Sequence, residues 1–360
     1  MSTPERSVLH VLPHPGGGGE TYVDLLDAMP GYRFSRVYLA ASAQASPRVV
    51  SGMLRALRQG RQHDLVHVHG EVASGLCLPL LATRPSLVTL NGLHFLRRMN
   101  GVSRRLAVLN LHALVRAVDY TICVSYAERD YLIAAVGPSA AQRVVVVHNG
   151  VDISLASSTA RDDVRGELGV SGSEPLGIWV GGLDHHKDPL TAVRGAVKSS
   201  VPLLVVGDGP LRRPVEEAAN EWVRVLGRRR DVLRLLAASD FFVLTSRREG
   251  LSFALLEAMS YGLPAVVTDL AENVEAVGDS GYVVPEGDED ALAEALRRLA
   301  DNAEERAAMG RRARDRVSAR FDAVLMVRRT RALYDQLLAD RGEVYEPAPI
   351  GSIDDGQSRP

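Results

Sequence analysis

Cysteine is scarce in this chain: two in 360 residues, Cys77 and Cys123, each isolated in an apolar stretch. Neither has metal-ligand spacing, so both read as buried thiols in a reducing compartment, and a disulfide framework is excluded. Long hydrophobic runs are missing as well. Nothing approaches the ~18 apolar residues that would cross a bilayer, and the opening MSTPERSVLHVLPHP has no apolar core of the signal-peptide type. The expectation is therefore a cytoplasmic protein. Charge of one sign is absent too: 42 Lys and Arg against 44 Asp and Glu leave a net −2, so no nucleic-acid partner is expected. The dinucleotide fingerprint GxGxxG is not found after the first strand, and no acidic residue closes the second.

What remains is a globular composition, 46% hydrophobic and 24% charged. At this length the natural prior is two domains of roughly 150–180 residues. Short β-branched runs recur, each followed by a helical pattern. The first half has VLHVL (8–12), RVYLA (36–40), LVHVH (65–69), SLVTL (86–90), YTICVS (120–125) and VVVVH (144–148). The second has GIWVGG (177–182), PLLVVGDG (202–209), WVRVLG (222–227), DFFVLTS (240–246), PAVVTD (264–269) and YVVP (282–285). Continuous apolarity suits parallel strands covered on both faces. The fold class expected is α/β, two Rossmann-like doubly wound domains facing a cleft, where ligands bind beyond the carboxyl ends of the strands. The domains are placed at 1–157 and 172–320, joined by a polar linker with one short helix. A closing helix follows at 321–340 and a disordered tail at 341–360.

Two constellations bear on chemistry. The glycines at 16–19 and Glu20 lie between the first strand and the helix ETYVDLLDAM. There the backbone can approach a ligand closely and the helix terminus offers N–H groups to an anion, although a glycine run alone fits a flexible turn equally well. The segment from Glu249 to Glu257, EGLSFALLE, follows strand DFFVLTS. Glu249 falls in the loop and Glu257 about two turns into the helix, with the N–H groups of Gly250, Leu251 and Ser252 directed into the cleft. Glu257 is set among Phe253, Leu255, Leu256, Ala258 and Met259, where an unpartnered carboxylate is costly.

The segment SRREGLSFALLEAMSYGLPAVVTD resembles the signature of the retaining family-4 glycosyltransferases, which have the GT-B fold. GGGGET resembles their glycine-rich first loop, VVVVHNGVD the end of their N-terminal domain and GGLDHHKD their pyrophosphate loop. VVGDGP follows in order, LGRRRDVLRLLAASD matches the nucleobase region, and the last helix resembles one that braces the N-terminal domain. The resemblance implies an acceptor-binding N-terminal domain and a C-terminal domain holding a nucleotide-sugar donor, and a UDP-linked donor is expected. It implies that Glu249 binds donor-sugar hydroxyls, Glu257 the ribose and Lys187 the pyrophosphate, helped by the amides of Gly250, Leu251 and Ser252. Gly227 and Arg228 would lie beside the base, and Gly18 and Gly19 would approach the donor phosphate or the acceptor. No cofactor and no metal is implied, because Lys187 and the helix amides supply positive potential.

Two positions depart from that family. Gly182 stands where an arginine is usual, and Asn91 where a histidine is common; His94 is a candidate substitute, although a surface position is the preferred reading. These departures keep a non-catalytic, nucleotide-sugar-binding or partner subunit as the alternative. An epimerase is disfavoured by the paired glutamates, and a phosphorylase by the lack of a pyridoxal-type lysine motif. His67 and His69 alternate on one strand face; with no third ligand nearby in sequence they read as structural or acceptor-site polarity. Asp162-Asp163 and residues 288–290 read as solvated charge and a helix cap. The run LRRMNGVSRRLAVLNLHALVRAV (96–118) is basic on one side and apolar on the other. A membrane surface or an anionic acceptor would fit it, but a helix packed on the sheet with a solvated basic face is the reading preferred. The acceptor itself is not legible.

Overall fold

All twelve apolar runs form strands. A computed structural model describes residues 5–40, 49–157, 161–170 and 174–339. The expected tail at 341–360 lies outside the described residues. In the first half the strands are β1 (Arg6–Leu12), β2 (Tyr32–Tyr38), β3 (Leu65–His69), β4 (Ser86–Thr89), β5 (Tyr120–Cys123) and β6 (Val144–Val146). In the second they are β7 (Gly177–Val180), β8 (Leu203–Val206), β9 (Val223–Gly227), β10 (Phe241–Leu244), β11 (Ala265–Thr268) and β12 (Gly281–Val284). Five of the twelve, β3, β4, β8, β10 and β11, are buried throughout, because helices cover both faces there and leave no polar side to alternate.

Each half is a six-stranded parallel sheet, ordered β2-β1-β3-β4-β5-β6 and β12-β11-β10-β7-β8-β9. In both, the chain starts in mid-sheet, runs to one edge and returns to build the other. The reversal lies between β1 and β3 in the first sheet and between β7 and β10 in the second. Loops leaving adjacent strands there diverge to opposite faces and open a crevice at their carboxyl ends. The glycine loop follows β1; the loops carrying Lys187 and Glu249 follow β7 and β10.

The polar linker carries a helix, Arg161–Leu168, with Asp162 and Asp163 exposed. Arg165 is buried and donates to the Ala238 carbonyl at 2.8 Å and to Asp240 at 3.2 Å, so this helix is pinned to the second domain. Asp288 caps the helix Glu289–Asp301 by accepting from the Asp290 and Ala291 amides. The helix Ala323–Ala339 returns to the first sheet. There Tyr334 Oη lies 2.7 Å from His67 Nδ1, Tyr22 Oη 2.7 Å from Thr330 Oγ1, and Tyr32 Oη donates to Asp335 at 2.7 Å.

The helix Gly101–Ala117 differs from expectation. Its sheet-facing side buries Leu111, Leu114 and Val115, but Val102, Leu106 and Leu109 point to solvent on the opposite side. The outward face is thus apolar as well as basic. Among the described residues, no helix is long and apolar enough to cross a membrane.

Candidate active site

The loop after β7 is held in shape by its own side chains. Asp184 Oδ1 accepts from the His186 and Lys187 amides at 2.7 and 3.1 Å. Asp188 adopts a left-handed conformation (φ 44°), uncommon for a residue with a side chain. It is kept there by Arg247, which donates from Nη2 at 2.7 Å and Nε at 3.0 Å, and by Thr191 at 2.9 Å. Thr245 Oγ1 donates to the Asp188 carbonyl at 2.8 Å, tying this loop to the end of β10. Lys187 is thereby aimed at Glu249: its Nζ donates to Oε1 at 2.6 Å, and Ser246 Oγ donates to the same oxygen at 2.6 Å. Glu249 is nearly enclosed, Lys187 partly open. A charged acceptor and a cation therefore stand together at the switch point of the second sheet.

Beyond Glu249 the chain turns into the helix Phe253–Ser260, with Ser252 as N-cap. The Gly250, Leu251 and Ser252 amides donate to no protein acceptor among the described residues, which leaves them for a ligand. Glu257 lies just over one turn into this helix, not two, because the helix starts only after the Ser252 cap. Its carboxylate has no hydrogen-bond partner among the described residues, and burial raises its pKa to about 7.

The first domain closes over this loop. A Cβ on Gly250 would lie 2.6 Å from the Gly92 amide nitrogen, so only glycine permits this approach of two backbones. Asn91 holds a left-handed φ of 58°, which asparagine tolerates, and its Nδ2 faces Gly19. Gly18 lies against the Phe253 ring. His94 is not the surface histidine expected. It packs on Gly92 beside Gly250, and burial there lowers its pKa to about 4, so the ring is neutral. Gly182 is exposed and free of left-handed strain; a Cβ on it would meet Asp184 Oδ2 at 3.1 Å. Gly227 ends β9 at φ 67°, with Arg228 exposed beyond it.

Comparison with known proteins gives this geometry its context. The profile described as Glycosyltransferase Family 4 matches residues 9–155, and that described as Glycosyl transferases group 1 matches residues 174–302. The chain belongs to the group 1, family-4 glycosyltransferases. It is 26% identical over 314 residues to N-acetyl-alpha-D-glucosaminyl L-malate synthase of Bacillus anthracis, covering 81% of this chain and 79% of that protein. It is 27% identical over 312 residues to UDP-Gal:alpha-D-GlcNAc-diphosphoundecaprenol alpha-1,3-galactosyltransferase of Escherichia coli, covering 80% and 79%. Its fold matches HepE of Anabaena, solved in complex with UDP, at a TM-score of 0.77 over 92% of this chain and all of that one, with 20% identity. The architecture is GT-B.

Further residues of this glycosyltransferase shape how the loops around Gly250 meet. Glu128, fully buried, accepts from the Gly92 and Val124 amides and so fixes the loop that meets Gly250; burial raises its pKa to about 7. Glu275 accepts from the Tyr126 and Ala127 amides at 2.9 Å and lies 2.8 Å from His148 Nε2. Arg97 pairs with Glu272, and Asn149 Nδ2 donates to the Leu251 carbonyl at 2.7 Å. Arg97, His148 and Asn149 lie inside segments with a recognisable pattern, but their partners are in the other half of the chain and no local pattern shows them. A third histidine also joins His67 and His69. His10 is opposite His67 in register, and one ring nitrogen from each of the three lies within 4.8 Å of those of the other two. His67 is occupied on both nitrogens, by Tyr334 Oη and Thr89 Oγ1, while His10 Nδ1 and His69 Nε2 share a 2.9 Å bond. Burial lowers the pKa of all three. They form an uncharged polar contact that anchors the returning helix.

Proposed function

We propose that the protein transfers a glycosyl group from a nucleoside-diphosphate sugar, UDP-linked, to an acceptor hydroxyl with retention of configuration and without a divalent ion. The observation that carries this is the contact between Lys187 and Glu249 at the second sheet's switch point, beside three unsatisfied amides and facing the glycine loop. A ligand with a pyrophosphate next to a sugar matches that pairing. Lys187 and the amides would take phosphate oxygens, leaving the Glu249 carboxylate to accept sugar hydroxyls. The relatives support the donor class: one is named a UDP-galactose transferase, and HepE was solved with UDP.

In this mechanism the anomeric C–O bond to phosphate breaks and the acceptor oxygen bonds the same carbon from the same face. The acceptor proton passes to the departing phosphate oxygen. Stabilising the negative charge on that phosphate is the largest contribution of the protein, and Lys187 carries it as a point charge.

The test is nucleotide release from UDP-, GDP-, ADP- and TDP-sugars, each with and without EDTA. Release from the UDP-sugars with EDTA present supports the reading. The absence of bare arginine or histidine at Gly182 and Asn91 favours a second reading, a binding subunit that captures the nucleotide-sugar without turning it over. Tight binding with no release from any donor would establish it.

A further inference from the structure

The helix pair that leads away from the cleft carries a feature that transfer does not require. His94–Arg98 and Gly101–Ala117 together hold Phe95, Val102, Leu106 and Leu109 exposed at 43, 71, 61 and 64%. Val102, Leu106 and Leu109 fall at helical spacing on one stripe, directly opposite the buried Leu111 and Val115. A helix that is apolar on two opposite faces needs two apolar neighbours. The sheet is one; the other is missing. The adjoining helix Glu71–Leu76, whose Gly75 abuts Asn110, exposes Val72 and Leu76 as well. Six of the large hydrophobic side chains exposed among the described residues thus collect in this corner, where scattered single ones would need no explanation.

Charge narrows what can cover it. Residues 94–118 contain five arginines and no aspartate or glutamate. Arg97 pairs with Glu272, but Arg98, Arg104, Arg105 and Arg116 have no acidic partner among the described residues. Arg104, Arg105, Leu109 and Tyr131 line a shallow groove of about 500 Å³ beside the stripe. Arg98 lies near enough to His186 and Arg248 to help lower their pKa values, so the basic corner continues to the cleft mouth. Apolar side chains at the centre with unpaired guanidinium groups around them match a surface with anionic headgroups over hydrocarbon.

We propose that this corner of the first domain docks on an anionic lipid bilayer, with Val102, Leu106 and Leu109 entering the headgroup boundary and Arg98, Arg104 and Arg105 meeting lipid phosphates. Docking itself needs no donor and is independent of the transfer reading. Because His94 begins this helix pair at the cleft, the bilayer would lie at the cleft mouth. The acceptor would then be presented from the membrane, an implication that does rest on the transfer reading.

The experiment is flotation of the full chain with phosphatidylcholine vesicles and with vesicles containing phosphatidylglycerol, at low and high salt. Wild type is expected to float with the anionic vesicles, and less so as salt rises. Each arginine at the surface strengthens partitioning by about fivefold, so Arg104→Ala with Arg105→Ala lowers it by about 25-fold. Leu106→Glu with Leu109→Glu, both at exposed positions, abolishes flotation while the melting temperature and nucleotide affinity stay at wild type. Wild type that ignores anionic vesicles overturns the proposal, as does flotation unaffected by the leucine changes. Concentration-dependent self-association that the leucine changes abolish, with no vesicle binding, would assign the stripe to a second copy instead.

Discussion

Glu257 offers a quantitative handle on the donor site. It is half-buried, has no hydrogen-bond partner among the described residues, and burial raises its pKa to about 7. In the free protein near neutral pH it is therefore about half protonated. Ribose hydroxyls donating to it stabilise only the carboxylate, so nucleotide binding should return the pKa toward the solvated value of 4.5 and release a proton. Binding that releases a proton tightens as pH rises. With pKa values of about 7 free and about 4.5 bound, affinity should increase about tenfold from pH 6 to pH 8, or about 1.4 kcal/mol. The ligand should be an intact nucleotide-sugar, whose pyrophosphate does not titrate in this range. Glu71 and Glu128 also have pKa values near 7, so the comparison is with Glu257→Gln, which keeps both. Calorimetry at pH 6, 7 and 8 should show the tenfold slope in wild type and its loss in the variant. The sign for stability is opposite. A carboxyl whose folded pKa lies above its unfolded value favours the fold at low pH and loses that contribution as pH rises through 7. Glu257→Gln should thus raise the melting temperature at pH 8 and not at pH 5. An unchanged pH slope in the variant would refute the ribose contact.

Glu249→Ala should abolish transfer with the fold intact, since the sugar loses a charged acceptor of ~1.5–3 kcal/mol; turnover within twofold of wild type would refute the role. Activity should survive EDTA, and a requirement for added magnesium or manganese would mean that Lys187 and the amides do not suffice. Gly182→Arg should fit, because Gly182 has no left-handed strain and its nearest neighbour is the carboxylate end of Asp184. A guanidinium there should strengthen nucleotide binding by up to ~1.5–3 kcal/mol, about ten- to a hundredfold. Calorimetry showing equal or weaker binding in a folded variant would place Gly182 away from the pyrophosphate. Glu128→Gln, which keeps one acceptor for two amides, should loosen the loop at Gly92 and lower kcat more than it alters nucleotide affinity; unchanged steady-state kinetics would leave Glu128 a purely structural residue.

The strands were legible because each holds a short apolar run, buried on both faces in the inner strands, and Lys187 and Glu249 because they sit in loops with a recognisable resemblance. What the motifs could not show is adjacency. Lys187 touches Glu249, 62 positions away, only because β7 and β10 are neighbours across the switch point, and strand order is not written in apolar runs. The same holds for His10, which completes the histidine cluster because β1 lies between β2 and β3. His94 reads as a surface residue in sequence, and only the approach of Gly250 to Gly92 encloses it. Glu128 has a local partner in the Val124 amide, but its bond to Gly92, 36 positions away, and those of Glu275 to Tyr126 and Ala127 join loops that the sequence does not bring together. The stripe at Val102, Leu106 and Leu109 was legible as apolar spacing, but not its direction, because the burial of Leu111 and Val115 on the other side decides which way it points.

The most direct test of the central claim is a crystal structure of the protein with UDP. The account predicts that the β-phosphate occupies the space by Gly250, Leu251 and Ser252, that Lys187 Nζ leaves Glu249 for a phosphate oxygen, and that Glu257 meets the ribose. Nucleotide bound elsewhere, with the Lys187–Glu249 contact still at 2.6 Å, would contradict it.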